Sequence, residues 1–122
     1  KLGELYNEFF FVIDWPTKIK PFYIMPKEEA PRYCYSFDLM HSGLEVASGG
    51  TRVHNYEILV KRIKEQGLRP ESFQYHLNVF KWGMPPHSGA GLGLDRLLMV
   101  ITGATNIREV VFYPRDRLRL TP

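Results

Sequence analysis

The 122-residue sequence has a single cysteine, Cys34. It cannot form an internal disulfide, which agrees with a reducing compartment, so a cytoplasmic protein is expected. No apolar run approaches the roughly 20 residues that a membrane helix needs, and no membrane partner is expected. Internal repeats and low-complexity tracts are absent from the sequence. Neither sign of charge dominates: the formal net charge of +3 permits an anionic partner without demanding one. No Gly-Lys-Ser/Thr follows the glycine-rich stretch, which excludes a Walker loop. Those glycines lie within a strand-like segment rather than after one, which excludes a dinucleotide fingerprint.

What is present describes a globular domain. Hydrophobic residues make up 44% and aromatic residues 14%, and the length suits one domain with a buried core. Nine prolines and ten glycines promise many turns. The chain opens on Lys1 and enters a strand-like run almost at once, while "YPRDRLRLTP" reads as a terminus. The expectation is a C-terminal piece of a longer protein; the alternative is a small protein whose initiator methionine was removed.

Residue patterning predicts the elements. "EFFFVIDW" (8–15) is aromatic and β-branched and reads as a strand that Pro16 ends. "IKPFYIM" (19–25) reads as a second extended segment, with Pro21 marking an irregular or edge position. A polar loop spans 25–33. "CYSFDLM" (34–40) alternates with period two, "HSG" turns, and "LEVAS" (44–48) returns, so 34–48 is a hairpin. The period then changes. "NYEILVKRIKEQGL" places Tyr56, Leu59, Val60 and Ile63 at helical spacing, with Asn55 to cap it and Gly67 to end it. "RPESFQYHLNVFKWG" is a second helix with Pro70 in its first turn and Phe73, Leu77 and Phe80 as its apolar stripe. "LDRLLMVITG" is a third, ended by Gly103, and "NIREVVFYP" gives a last strand. Hairpins imply antiparallel pairing, so the predicted class is α+β, an antiparallel sheet with flanking helices.

Two stretches hold the residues suited to chemistry. In "HSGAGLGLDRLLM", Gly89, Gly91 and Gly93 alternate with Ala90 and Leu92. Three glycines on one face of a strand bare the backbone to a flat ligand, while Ala90, Leu92 and Leu94 would point into a core. The alternative is a strand packed closely on a neighbour. Arg96 begins the following helix, where a guanidinium can stack on a planar ring or clamp a phosphate. In "EVASGGTRVH" (45–54), Glu45 and Ser48 offer hard oxygens of the kind magnesium takes alongside water and phosphate. Gly49 and Gly50 would let a ligand approach the backbone, and Arg52 supplies a fork for a small carboxylate. Asp38 and Glu45 would repel each other across the hairpin unless a divalent cation relieved them. The alternative is a surface hairpin with solvated charges. Arg108, Arg115, Arg117 and Arg119 make a basic tail, which either contacts phosphate or forms ion pairs with Glu109 and Asp116.

These stretches together resemble the class II aminoacyl-tRNA synthetases, in particular the aspartyl branch of archaeal or eukaryotic type. The glycine strand with Arg96 is similar to motif 3 of that class. "FDLMHSGLEVASGGTRVHNYEIL" is similar to the branch's ATP- and amino-acid-binding hairpin, and "WGMPPHSG" and "YPRDRLRLTP" also resemble this branch. The likeness covers essentially all of residues 1–122, as the C-terminal half of a catalytic domain; motifs 1 and 2 and the anticodon-binding domain have no counterpart in the chain. The resemblance implies an aspartate–tRNA ligase that uses ATP and Mg2+, with L-aspartate and tRNA as substrates and a homodimer as the full-length protein. Glu45 would hold ATP through magnesium, Ser48 would be a second metal contact beside the amino acid, and Asp38 a further acid near the metal. Arg52 would read the side-chain carboxylate of aspartate. Gly93, Leu94, Asp95 and Arg96 would lie along ATP, with Arg96 over the adenine or the γ-phosphate as the catalytic cation. His87 would border the pocket, the alternative being a structural histidine of the proline turn. Position 95 departs from the motif, with Asp where Glu is usual. The implied alternatives are an asparaginyl-tRNA synthetase, an asparagine synthetase of synthetase type, an enzyme that charges two tRNA types, and a binding module without catalysis. With half a site, residues 1–122 alone would not aminoacylate.

Overall fold

The computed structural model describes residues 6–118, 120 and 121. Four antiparallel strands form one sheet in the order β1-β2-β3-β4. They are β1 (Phe9–Ile13), β2 (Ser36–His41), β3 (Leu44–Thr51) and β4 (Ser88–Leu92). Among the described residues there are three α-helices: α1 (Tyr56–Glu65), α2 (Gln74–Lys81) and α3 (Leu94–Thr102). The chain divides into two compact units. The first comprises Lys1–Phe11, Asp38–Ser48 and Gly91–Pro122, the second Val12–Phe37 and Gly49–Ala90.

In the first unit, Ser42 and Gly43 turn the β2–β3 hairpin with φ of 45° and 83°. Two successive positive φ angles match the right-handed twist of the strands they join. Helix α3 starts at Gly93 and ends at Gly103, whose φ of 71° gives it a left-handed cap. Leu94, Leu97, Leu98 and Ile101 recur at helical spacing, yet no residue of α3 is fully buried. Ala90, Leu92 and Leu94, expected to point into a core, are exposed in their respective units. Alternation chose a face for them, but burial also needs a second layer against that face. The strand predicted over 106–114 is absent. The Asn106 side chain accepts from the Arg108 N–H at 3.1 Å and caps a 3-10 turn at Ile107–Glu109. A local side-chain bond here outcompetes the β-branched run that follows.

The second unit has a closed core of Val53, Leu59, Ile63, Leu77 and Phe80, packed by Phe22, Met25, Tyr56, Val60, Phe73 and Met84. Helix α1 is capped as its sequence predicts: the Asn55 side chain accepts from the Ile58 N–H at 2.9 Å, and Gly67 takes a φ of 71° beyond its end. A 3-10 turn, Pro70–Phe73, leads into α2, so the predicted second helix is tighter in its first turn. The extended segment predicted over 19–25 is a turn from which Ile24 makes one bridge, to Arg52. Buried Arg62 of α1 ties this irregular stretch to the helix, donating to the Thr17 carbonyl at 2.8 Å and to Glu65 at 2.9 Å. Cys34 is fully buried, with its Sγ donating to the Trp15 carbonyl at 3.2 Å.

Gly49 and Gly50 do not form a turn. Both lie inside β3 and are buried. A Cβ on Gly49 would stand 2.6 Å from the Gly89 carbonyl and 2.8 Å from the Ala90 Cβ, and one on Gly50 would collide with the Tyr35 carbonyl. Neighbouring backbone fills the space that the sequence reading reserved for a ligand, so these glycines serve close strand approach.

Candidate functional site

Residues of the first unit cluster around the start of α3. The Gly93 N–H donates to the Val46 carbonyl at 2.8 Å, and the Leu97 N–H donates to the Gly93 carbonyl at 2.9 Å. The helix start is thereby pinned to β3. Arg96, one turn in, donates from Nη1 to the Glu45 carbonyl at 2.8 Å and lies 3.8 Å from Glu45 Oε1. About half of each side chain remains exposed, so the ion pair itself contributes little to stability. Its geometry matters more: an acid and a base stand side by side at a helix N-terminus, where the first backbone N–H groups have no helical partner and favour an anion. Asp95 lies in that first turn, where a negative side chain suits the helix dipole.

The proposed metal donors are more dispersed. Asp38 is buried in β2 and has interactions of its own. Ser48 is half-buried on β3. Glu45 and Ser48 are three residues apart, so strict strand alternation would send them to opposite faces. Burial along β3 departs from alternation, however: Val46, Gly49 and Gly50 are the buried residues. No group of three or more His, Cys, Asp or Glu side chains is arranged as a metal site among the described residues. A half-exposed carboxylate beside an arginine does not make a resident cage. It does fit a magnesium ion, which keeps waters and takes one or two carboxylates together with phosphate.

The second unit builds a different surface. Arg52 follows β3, and its N–H donates to the His87 carbonyl at 2.9 Å. Its guanidinium carbon lies 4.8 Å from the Tyr23 ring centroid. Tyr23 and Arg52 line a cavity of about 480 Å³ together with Phe22, Val53, Phe73, His76, Phe80 and His87. The His87 ring is turned onto the Pro85 carbonyl at 2.9 Å, which agrees with a turn-stabilising role. This mostly apolar cavity with one guanidinium suits a small molecule bearing a carboxylate. Sequence reading found Arg52 and His87 but missed Tyr23, Phe22 and His76, which reach the cavity through tertiary folding. The one signal available was the aromatic pair directly after Pro21.

Arg108 of the basic tail is paired with Asp116 at 3.0 Å, while Arg119 lies outside the described residues.

A glycine-rich last strand, an arginine in the helix that follows it and a separate arginine-bearing cavity are the features against which a family can be sought. Residues 2–117 match the family model of the class II tRNA synthetases (D, K and N), and the chain belongs to that family. It is 57% identical over 122 residues to the aspartate–tRNA(Asp/Asn) ligase of Methanopyrus kandleri, covering 100% of this chain and 28% of the relative. It is 54% identical over 121 residues to the ligase of the same name from Methanothermobacter thermautotrophicus, covering 99% of this chain and 28% of the relative. Among solved structures, the aspartyl-tRNA synthetase of Entamoeba histolytica superposes with a TM-score of 0.93 at 40% identity, covering 99% of this chain and 26% of that one. The asparaginyl-tRNA synthetase of Pyrococcus horikoshii gives 0.92 at 33% identity, covering 99% and 29%. The chain thus spans about 28% of the length of the curated relatives it matches.

Proposed function

We propose that the chain is the part of an aspartate–tRNA ligase that binds the amino-acid side chain and part of ATP. In this reading it is the C-terminal half of the catalytic domain, including motif 3. The observation that carries it is Arg52, the guanidinium lining a mostly apolar cavity of about 480 Å³ that His76 and His87 also border. Its fork would take the side-chain carboxylate of L-aspartate bidentately, while a neutral amide offers one acceptor and two repelled donors. Relatives more than half identical bear the aspartate name, which supports the same choice.

The reaction proposed has two steps. The aspartate α-carboxylate attacks the α-phosphorus of ATP, the bond to the bridging oxygen breaks, and pyrophosphate leaves. A hydroxyl of the terminal ribose of a tRNA then attacks the acyl carbon of the aspartyl-adenylate, the acyl–phosphate bond breaks, and AMP leaves. No protein nucleophile is needed; positioning and charge neutralisation carry such chemistry. Arg96 would act as the catalytic cation, over the adenine or against the γ-phosphate. The start of α3, with Gly93, Leu94 and Asp95, would lie along the nucleotide. Glu45 and Ser48 would hold Mg2+, with Asp38 joining them if its buried carboxylate turns from its present partners. When bound, the metal would neutralise phosphate charge. The longer protein would act as a cytoplasmic homodimer, and the names of the relatives support charging of both tRNA(Asp) and tRNA(Asn).

A second reading has its own support. Asparaginyl-tRNA synthetases superpose nearly as well as the aspartyl enzymes, with TM-scores of 0.92 and 0.89 against 0.93. Pyrophosphate exchange in the longest natural polypeptide that carries this chain separates the two. Exchange should depend on aspartate, and Arg52→Leu should raise the aspartate KM at least a hundredfold, about the effect of losing a buried charge-assisted pair. Exchange driven by asparagine and indifferent to aspartate would overturn the proposal. Residues 1–122 alone should form no adenylate.

A further inference from the structure

The surroundings of Arg52 have a feature that neither the motif nor the cavity explains. A Cβ placed on Gly89 would lie 2.9 Å from Arg52 Nη2, 3.0 Å from Nε and 3.4 Å from Cζ. Three atoms of the guanidinium plane therefore run along the bare Cα of Gly89. The same group meets the Tyr23 ring, 4.8 Å from its centroid. Each contact is tied to Arg52 through backbone. The Val53 N–H donates to the Tyr23 carbonyl at 2.9 Å, the Met25 N–H donates to the Thr51 carbonyl at 2.9 Å, and the Arg52 N–H donates to the His87 carbonyl at 2.9 Å. The segments that carry the ring and the glycine are thus bonded to the strand that carries the arginine.

We propose that Tyr23 and Gly89 are positioning residues that hold the plane of Arg52, and so set the selectivity of this pocket for a carboxylate side chain. An unrestrained arginine has many rotamers, and ordering them on each binding event costs entropy. A ring contact and a backbone contact to one planar group remove most of that freedom beforehand, leaving its N–H edge for the ligand. The contact with Tyr23 uses the ring face, not the hydroxyl, so phenylalanine should replace it. A side chain at Gly89 would press on the guanidinium and make it shift from this position. This gives the first glycine of the alternating series a role different from clearing room for a nucleotide. The role assigned to carboxylate selection rests on the reading of Arg52 given above; the clamp itself does not.

Two measurements test it. In the 122-residue chain, the Arg52 Nε–Hε resonance should be shifted by the ring current of Tyr23. The shift should vanish in Tyr23→Leu and persist in Tyr23→Phe; a resonance unmoved by Tyr23→Leu would overturn the clamp. In the longest natural polypeptide that carries the chain, Tyr23→Leu should raise the aspartate KM about three- to thirtyfold, and Gly89→Ala by at least about tenfold. The ATP KM should stay unchanged, and Tyr23→Phe should restore the wild-type value. Aspartate KM values left unchanged by both substitutions would overturn the selectivity role. If the wild type shows no aspartate-dependent exchange, the functional reading and the selectivity role fall together, and the resonance alone decides the clamp.

Discussion

The two units of this chain hold their chemistry by different means. In the second, Arg52 follows β3 and leads straight into Val53, a member of the closed core with Leu59 and Ile63. In the first, Glu45 and Arg96 are fixed mainly by backbone: Gly93 to Val46, Arg96 to the Glu45 carbonyl. Helix α3 there buries no residue completely, although Leu94, Leu97, Leu98 and Ile101 recur at helical spacing along it. A stripe gives a helix a face to bury, and only a second layer turns that face into stability. The surroundings of Arg52 are thus preformed within its own unit, and those of Glu45 and Arg96 are built on hydrogen bonds with little packing behind them.

The largest expected effect probes that contrast directly. Leu59→Ala removes a fully buried side chain from the second unit and should cost about 2–5 kcal/mol. Leu98→Ala on half-buried α3 should cost about 1 kcal/mol or less. Urea denaturation of the two variants compares them. Equal losses would mean that α3 contributes as much packing as α1, and the contrast would fail.

An intermediate effect comes from Arg62. It is the buried charge of the second unit that ties irregular backbone to a helix. Arg62→Met keeps much of the aliphatic stem but leaves the Thr17 carbonyl without its 2.8 Å donor, and a loss of about 1–3 kcal/mol is expected. Amide exchange should quicken around 17–20 while the amides of α3 are unchanged. A stability equal to wild type would show that water replaces the guanidinium at no cost.

Much of this contrast could be read from the chain, and the unread part has a common cause. Asn55, Gly67 and Gly103 marked helix ends because caps and left-handed φ angles are local. "HSG" marked the hairpin turn for the same reason. The stripes of α1 and α2 also found their core, through Leu59, Ile63, Leu77 and Phe80, but other features that needed a partner element did not. Ala90, Leu92 and Leu94 were assigned to a core because their alternation fixed a face, and that face is open. Gly49 and Gly50 were read as room for a ligand, whereas Gly89 and Tyr35 occupy the space. The strand predicted over 106–114 lost to a bond made by the first residue of the run, Asn106. Of the candidate site, the charged side chains were legible by type and spacing. Tyr23 was not, because a ring earns its role only when the fold brings it against Arg52.

The smallest effect concerns the alkaline edge of the second unit. Lys27 holds Asp14 at 2.8 Å, and that hydrogen bond raises its pKa above the ordinary value, against the opposing effect of desolvation. Tyr35, over which the Lys27 ammonium lies at 5.4 Å, is raised as well, first by burial and then by Glu29. A raised pKa means that the folded state keeps its proton where the unfolded chain has released it. The stabilisation by Lys27 is therefore complete below about pH 10.5, the unfolded value, and is lost as pH rises through the folded value. Tyr35 acts in the same direction from its own unfolded value of 10.0. Many other groups titrate in this range, so the decisive quantity is a difference. Urea midpoints of wild type and Lys27→Met should converge between pH 9 and roughly pH 12, because the variant has no ammonium to lose. Parallel curves over that range would remove the Lys27–Asp14 contact from the forces that hold the second unit, and leave its advantage over the first to the core alone.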